Sequence, residues 1–419
     1  MATVDRTTVN RGTVRALNAL TARWARAART ENADADADAN GNGNSNGGGT
    51  VFAAAGVWPL LGLLSEGADP AVRGELTEAL GLPPEKAGRA ARALLGALDA
   101  MDGVDAALGL WTRRELPLYE TWSAKLPEGA HARLTGDLEV DAAALDRWAR
   151  ERTGGRIPAM PIDLERRTWL VLASALVLRT RWESPFTEAE LRPDSGPWSG
   201  RSLAGLFRSS RDLDEVRLAV TPDGDSVTVL TVRGDNGIDV QLLLGEPQLG
   251  AGAVLGAGLG LLDGSCAGER GGALPVGAVG PGLSVVEQPS VSPGARVDVT
   301  LPRFTVAAEH DLLADAALFG LASATDGSDR RFPGVSPERL ALRSARQSAT
   351  ATFDEAGFEA AAVTAGGMAW MSGPPEPRHT ATVISVDLDR PFGFLAVHRG
   401  VGLVLAGGWV RDVSSAGGV

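Results

Sequence analysis

DEAGFEAAAVTAGGMAWMSGPP, residues 354–375, is the stretch that decides how the rest of this 419-residue chain is organised. It opens on two acids and Gly357, passes through Glu359, Ala360, Ala361, Ala362, Val363 and Thr364, and closes on Met371, Ser372, Gly373, Pro374 and Pro375. Alanine, glycine and threonine bury little area, so the run cannot hold itself folded against a core of its own, which predicts an exposed loop. A permanently solvated linker carries more charge than this one. Glu359 is the only charged residue from Gly357 to Pro375, and the segment therefore suits two environments, water and the interior of a sheet. Side chains alternate along a strand. Phe358, Ala360, Ala362, Thr364, Gly366 and Met368 would share one uncharged face, with Glu359, Ala361, Val363 and Ala365 on the other.

Composition narrows the function classes. A net charge of -12 with no basic stripe argues against a nucleic-acid partner. Residues at the N-terminus lack the apolar core of a signal peptide, and no apolar run is long enough for a membrane span, so the expectation is a soluble, cytoplasmic chain with no membrane partner, export by another route remaining open. Cys266 is the single cysteine, cannot form an intramolecular disulfide, and has no histidine close in sequence to activate it. An enzyme would have to draw its imidazole base from His131, His310, His379 or His398, none of which stands in a nucleophile or metal-ligand motif. No metal and no cofactor is expected.

Outward from the loop, the chain carries both helical and strand patterns. Residues 12–28 place Val14, Leu17, Leu20, Thr21 and Trp24 at helical steps. Residues 31–49, rich in Asn, Gly, Asp and Ala, read as a low-complexity insertion. Asp34, Asp36 and Asp38 alternate like the start of a calcium loop, but Ala39 and Ser45 stand where the required Gly and bidentate acid would be. Residues 141–160 predict a helix with Ala143, Ala144, Trp148 and Ala149 on one face, ended by Gly154-Gly155. Residues 168–186 contain an apolar run without caps, predicting a strand buried on both faces. SVTVLTVRG and GIDVQLLLG flank a Gly-Asp-Asn-Gly turn and predict a hairpin. Residues 246–294 are Gly-rich and predict a divergent surface insertion. The spacing of Gly256, Gly258 and Gly260 lacks the acidic residue and βαβ frame of a dinucleotide site.

The loop resembles the reactive loop of the serpins, with its acidic-Gly hinge at Glu355 and Gly357, its Glu-Ala-Ala-Ala at 359–362, its Thr364 and its Ser-Gly-Pro-Pro at 372–375. Further matches are Gly67-Ala68, Trp148 with Thr153, Gly155, Arg156 and Ile157, Trp182 with Pro185-Phe186, Leu301-Pro302-Arg303-Phe304, the turn at 332–336, and Asp389 to Phe392. The resemblance implies a single α+β serpin domain over 1–419, with mixed and antiparallel sheets, a helical subdomain and an exposed reactive-centre loop at 354–375. In that family the segment around 246–294 normally carries two short helices. The implied sheet-opening region holds Trp182, Ser174, Gly56 and Gln347, where Ser174, Gly56 and Gln347 replace the usual Asn, Ser and His; Trp182 is equally compatible with a plain core role.

The resemblance further implies an inhibitor of serine endopeptidases, not an enzyme. A monomer would offer the Met371–Ser372 bond, or alternatively the bond after Trp370, to an elastase-, chymotrypsin- or subtilisin-like protease. The partner would be held as a covalent acyl complex while the cut loop enters the sheet. Phe358 departs from the small residue usual at the first inward-facing position, and a bulky ring could slow insertion by overpacking. The alternative is therefore a non-inhibitory serpin with a substrate, binding or chaperone-like role.

Overall fold

The apolar run LVLASALVL, residues 170–178, is a strand with every residue buried, and the molecule is layered on it. A computed structural model of the chain describes residues 9–28, 49–162, 164–166, 168–358, 378–413 and 415. In chain order the elements are α1 Arg11–Ala27, β1 Gly49–Phe52, α2 Ala54–Ser65, α3 Pro70–Leu80, α4 Pro84–Ala100, β2 Val104–Arg113, α5 Glu120–Ser123, β3 His131–Leu134, α6 Leu138–Arg152, β4 Leu170–Leu178, β5 Thr180–Arg181, β6 Thr187–Leu191, β7 Leu203–Ser210, β8 Val216–Val220, β9 Ser226–Val232, β10 Ile238–Gly245, α7 Ala251–Asp263, β11 Ala267–Arg270, β12 Val279–Gly280, β13 Leu283–Ser290, β14 Arg296–Pro302, β15 Phe304–Asp311, α8 Ala316–Phe319, β16 Ser344–Phe353, β17 Gly357–Phe358, β18 His379–Asp387, β19 Phe392–His398 and β20 Leu403–Val410.

Three sheets carry the fold. The central one runs β15-β16-β4-β2-β3, and the others run β1-β20-β19-β10-β9-β8-β11 and β12-β13-β18-β14-β7-β6. In the central sheet β4 and β16 are parallel neighbours, joined from Val171↔Ser344 to Leu176↔Ala349. The period of two along β4 divides its side chains between two cores. Leu170, Leu172, Leu176 and Leu178 face the main core, while Val171, Ala173, Ala175 and Val177 meet Leu145 and Ala149 of α6.

α6 lies on the sheet by a narrower stripe than the sequence suggests. Its buried residues are Asp141, Leu145 and Ala149, spaced by four, whereas Ala143 is exposed and Trp148 half-buried. Trp148 instead reaches the edge of the contact, where its ring meets Trp111 edge-on at 5.6 Å over Gly109. Asp137 caps the helix by accepting from the amides of Glu139 and Val140.

Residues 246–294 are not a surface insertion. They form α7, whose Val254, Leu255, Ala257, Gly258, Leu259 and Gly260 are buried, followed by β11, β12 and β13 in two different sheets. The glycines let the helix approach the sheet: a Cβ on Gly258 would lie 2.4 Å from Leu243 Cδ2 and 2.9 Å from Leu395 Cδ1. Of the low-complexity stretch, Gly49 belongs to β1, and the alternating Asp34, Asp36 and Asp38 lie outside the described residues. The β9–β10 hairpin forms as its turn residues predict.

Two histidines are built in as neutral rings. His131 Nε2 lies 2.8 Å from Thr112 Oγ1, and burial, with Arg133 close by, pushes its pKa down to about 4. His310 Nε2 is 2.8 Å from Val51 O, and burial lowers its pKa, partly opposed by that carbonyl. An unfolded histidine titrates near 6.5, so below about pH 6.5 the unfolded chain takes up protons that these rings refuse, and stability is lost as pH falls. The melting temperature should therefore drop between pH 7 and pH 5. His131→Gln combined with His310→Gln should make that drop shallower than in the parent, as read by thermal unfolding at each pH.

Candidate functional site

The described part of the loop ends in a tight turn built on Asp354. Its Oδ1 accepts from the amides of Ala356 at 2.9 Å and Gly357 at 2.8 Å, and its own amide donates to Gly357 O at 3.0 Å. Burial pushes the Asp354 carboxyl up, against the downward pull of the two amides. Glu355 turns the other way into a clasp with Arg303, which also donates to Glu188 at 2.9 Å. Trp182 holds the same turn by its indole, donating from Nε1 to Asp354 O at 2.9 Å, and by its own amide, donating to Ala356 O at 2.9 Å.

Gly357 and Phe358 then leave the turn as β17, antiparallel to β5, with Gly357 opposite Arg181 and Phe358 opposite Thr180. β5 continues β4 beyond Arg179, past the last β4–β16 pair at Leu176↔Ala349. The hinge is thus seated at the end of the central sheet where its two parallel strands part. Gly357 has to be glycine there, because a Cβ would stand 2.3 Å from Thr180 O. The Phe358 ring is 1% exposed and meets Phe394 edge-on at 5.9 Å. Phe394, Phe304, Phe353 and Trp182 continue the contact ring by ring, at 5.6, 5.4 and 4.6 Å, so one aromatic row ties the hinge to the sheet.

The four sheet-opening positions named from the sequence fall in two places. Trp182 stands at the hinge. Ser174, Gln347 and Gly56 meet further down, under the N-terminus of α2. Gln347 donates from Nε2 to Ala53 O at 2.9 Å and to Ser174 Oγ at 3.2 Å, and its Oε1 accepts from Ala53 N at 2.8 Å. A Cβ on Gly56 would come within 2.5 Å of Ser174 Oγ. The glycine, the serine and the amide are therefore one packing solution: α2 sits close enough for its first turn to be stitched to β16. The loop residues Glu359, Ala360, Ala361, Ala362, Val363, Thr364, Trp370, Met371 and Ser372 lie outside the described residues. Among the described residues no group of three or more His, Cys, Asp or Glu side chains is arranged to hold a metal ion.

The family model described as Serpin (serine protease inhibitor) matches residues 40–195 and 284–413. The chain is a serpin. Its fold is similar to that of native protease nexin-1 solved with heparin, at 17% identity and a TM-score of 0.67 over 96% of this chain and 100% of the other. It is also similar to human thyroxine-binding globulin complexed with thyroxine, at 16% identity and TM-score 0.68 over 97% and 99%, and to Serpin48 of the insect Tenebrio molitor, at 15% identity and TM-score 0.66 over 99% and 100%. No curated protein matches the sequence. The unmatched residues 196–283 include α7 and β12, where this serpin departs from the family pattern.

The aromatic row escaped the sequence because its members lie on five separate segments; Trp182, Phe358 and the Phe304 of the LPRF motif were singled out there, but nothing in the sequence joined them. The stitched α2 contact yields a test. Gly56→Ala should destabilise the serpin by about 1–3 kcal/mol through overpacking. Adding Ser174→Ala removes the Oγ in the way, so the two changes should couple favourably by about 1 kcal/mol in a double-mutant cycle of chemical denaturation.

Proposed function

We propose that this serpin inhibits serine endopeptidases by offering the Met371–Ser372 bond as bait and then inserting the cut loop between β4 and β16. The observation that carries this is the seat of the hinge: β17 already runs antiparallel to β5, where the β4–β16 ladder has ended. An antiparallel strand entering there would extend down the sheet between the two parallel strands and pair with both. The residues that follow in sequence, Glu359 to Thr364, are small apart from Glu359, whose turn in the alternation faces away from Phe358.

In the reaction, the protease serine attacks the Met371 carbonyl, Ser372 leaves as a new N-terminus, and the acyl-enzyme forms. The serpin supplies no catalytic group. Its part is speed: the sheet must draw the acylated end away before water cleaves the ester. Opening requires the β4–β16 ladder to part, and along it the small Ala173, Ser174, Ala175, Ala345, Ser348 and Ala349 stand among the larger Val171, Leu172, Leu176, Arg346 and Gln347. Met371 fits apolar primary pockets of several sizes, and Trp370 would serve a chymotrypsin-like enzyme.

The Phe358 ring has a place before insertion: it is buried beside Phe394 with the hinge paired to β5. On this view the ring anchors the first inserted residue, which keeps inhibition ahead of the substrate-like alternative. Phe358→Thr should then lower the stability of the intact form by about 3 kcal/mol and leave the number of inhibitor molecules consumed per protease unchanged or higher; a fall in that number would make the ring an obstacle.

Incubation with subtilisin, elastase and chymotrypsin tests the proposal as a whole. A complex surviving SDS, with a C-terminal peptide whose mass begins at Ser372, is expected. Clean cleavage without inhibition by any of the three would instead favour a binding or chaperone-like role. Ala362→Arg places a charge on the inward face and should abolish inhibition while leaving the loop cleavable.

A further inference from the structure

A buried ion pair joins β7 to the start of β8. Arg208 of β7 donates from Nη2 to Glu215 Oε2 at 2.9 Å, and Glu215 ends the short helical turn Leu213–Glu215 that leads into β8. The two side chains are 6% and 8% exposed. Both residues fall within 196–283, the stretch that the family model leaves unmatched, so the pair belongs to the divergent part of this chain.

Taking two charges out of water is expensive, and a pair joined by one hydrogen bond does little to offset the cost. Glu215 Oε1 and Arg208 Nε are buried without a hydrogen-bond partner among the described residues. Stability alone therefore gives no reason for the pair, and the other contacts of the guanidinium supply one. It lies over the Phe186 ring, 4.5 Å from the centroid, and donates from Nη1 to Ser184 O at 3.3 Å. Residues 182–186 are the segment on which the hinge rests. The amides of Trp182 and Phe186 donate to Ala356 O and Glu355 O, each at 2.9 Å, and the Phe186 ring meets Phe353 edge-on at 5.6 Å. Arg208 thus grips the same few residues that carry the hinge.

We propose that Arg208 and Glu215 are positioning residues for loop insertion: the charged pair holds residues 184–186 in place beside Glu355 and Ala356, and loss of the charge on Glu215 lets the hinge drift, so that more of the serpin is consumed as substrate. This rests on the insertion mechanism proposed above. With Glu215 neutral, Arg208 keeps a buried charge without a counterion and has to turn towards water, leaving Ser184 O and the Phe186 ring.

Burial pushes the Glu215 carboxyl above its ordinary range against the pull of Arg208, and Asp212 adds to the rise. Glu215 therefore takes up its proton in weaker acid than an exposed glutamate does. Most charges on the elements around it are engaged elsewhere. Asp212 pairs with Arg233 after β9 at 3.1 Å, Asp214 with Arg270 of β11 at 3.0 Å, Glu183 with Arg399 at 3.1 Å, and Asp298 of β14 with Arg296 at 3.0 Å. Arg217 of β8 is half-buried, while Arg211 and Glu269 are exposed.

The full chain and its Glu215→Gln variant would each be mixed with a protease that forms an SDS-stable complex, and gels would give the ratio of cleaved to complexed serpin. At pH 7.5 the ratio for Glu215→Gln should be about tenfold above the parent's, the effect of one charged hydrogen bond missing at the barrier. Comparing the two proteins at the same pH cancels the protease's own pH dependence. The gap should close towards pH 5, where the parent's Glu215 itself becomes neutral. Equal ratios at pH 7.5, or a gap as wide at pH 5 as at pH 7.5, would overturn the positioning role and leave inhibition standing. Absence of complexes from the parent with every protease would instead remove the insertion mechanism, and this role with it. Should Glu215→Gln not fold, hydrogen exchange on the parent decides, once corrected for intrinsic rates. Loss of protection at the Trp182 and Phe186 amides between pH 7.5 and pH 5, with β16 amides keeping theirs, supports the role. Protection unchanged, or lost alike in β16, contradicts it.

Discussion

The parallel contact between β4 and β16 is the constraint on which the rest of the structure depends. Two strands running in the same direction are held side by side in the middle of a sheet, with Ser174 hydrogen-bonded to Gln347 across the seam. The arrangement leaves room, in direction and in register, for an antiparallel strand between them. Parallel pairing is slightly weaker per residue than antiparallel pairing, so a strand able to pair with both neighbours would replace one ladder by two stronger ones. Three contacts border the seam: α2 stitched to Gln347 on one face, α6 laid over the other, and the Asp354 turn at the end.

The two ends of the loop are opposed in design. At the entering end, Gly357 passes within touching distance of Thr180 and Phe358 drops into an aromatic row, so the hinge is paired to β5 just beyond the central sheet. At the leaving end, β18 is locked between β13 and β14.

Much of this was legible before any coordinates. The apolar run at 170–178 required a strand buried on both sides, the Gly-Asp-Asn-Gly turn fixed a hairpin, and the acids and glycine at 354–357 marked a turn, because each depends on local pattern. What stayed hidden depends on distant partners. Glycines cost a helix about 1 kcal/mol each relative to alanine, so residues 246–294 read as an irregular insertion; α7 forms because Gly258 lets it settle against Leu243 and Leu395. Likewise Ala143 was placed on the α6 stripe because it is as suitable for a buried face as Ala149, and only the sheet beneath chooses; Ala144 and Trp148 do pack against it. The Phe358 pocket needed Phe394, Phe304 and Phe353 brought together from other strands, which no spacing within the loop could show.

The most direct measurement compares heat denaturation of the intact serpin with that of the same protein after its loop has been cut by a protease. If the native sheet stores the free energy that insertion releases, the cut form melts far above the intact one. If the cut form melts at the same temperature or lower, the sheet is not a loaded device and insertion does not drive its action.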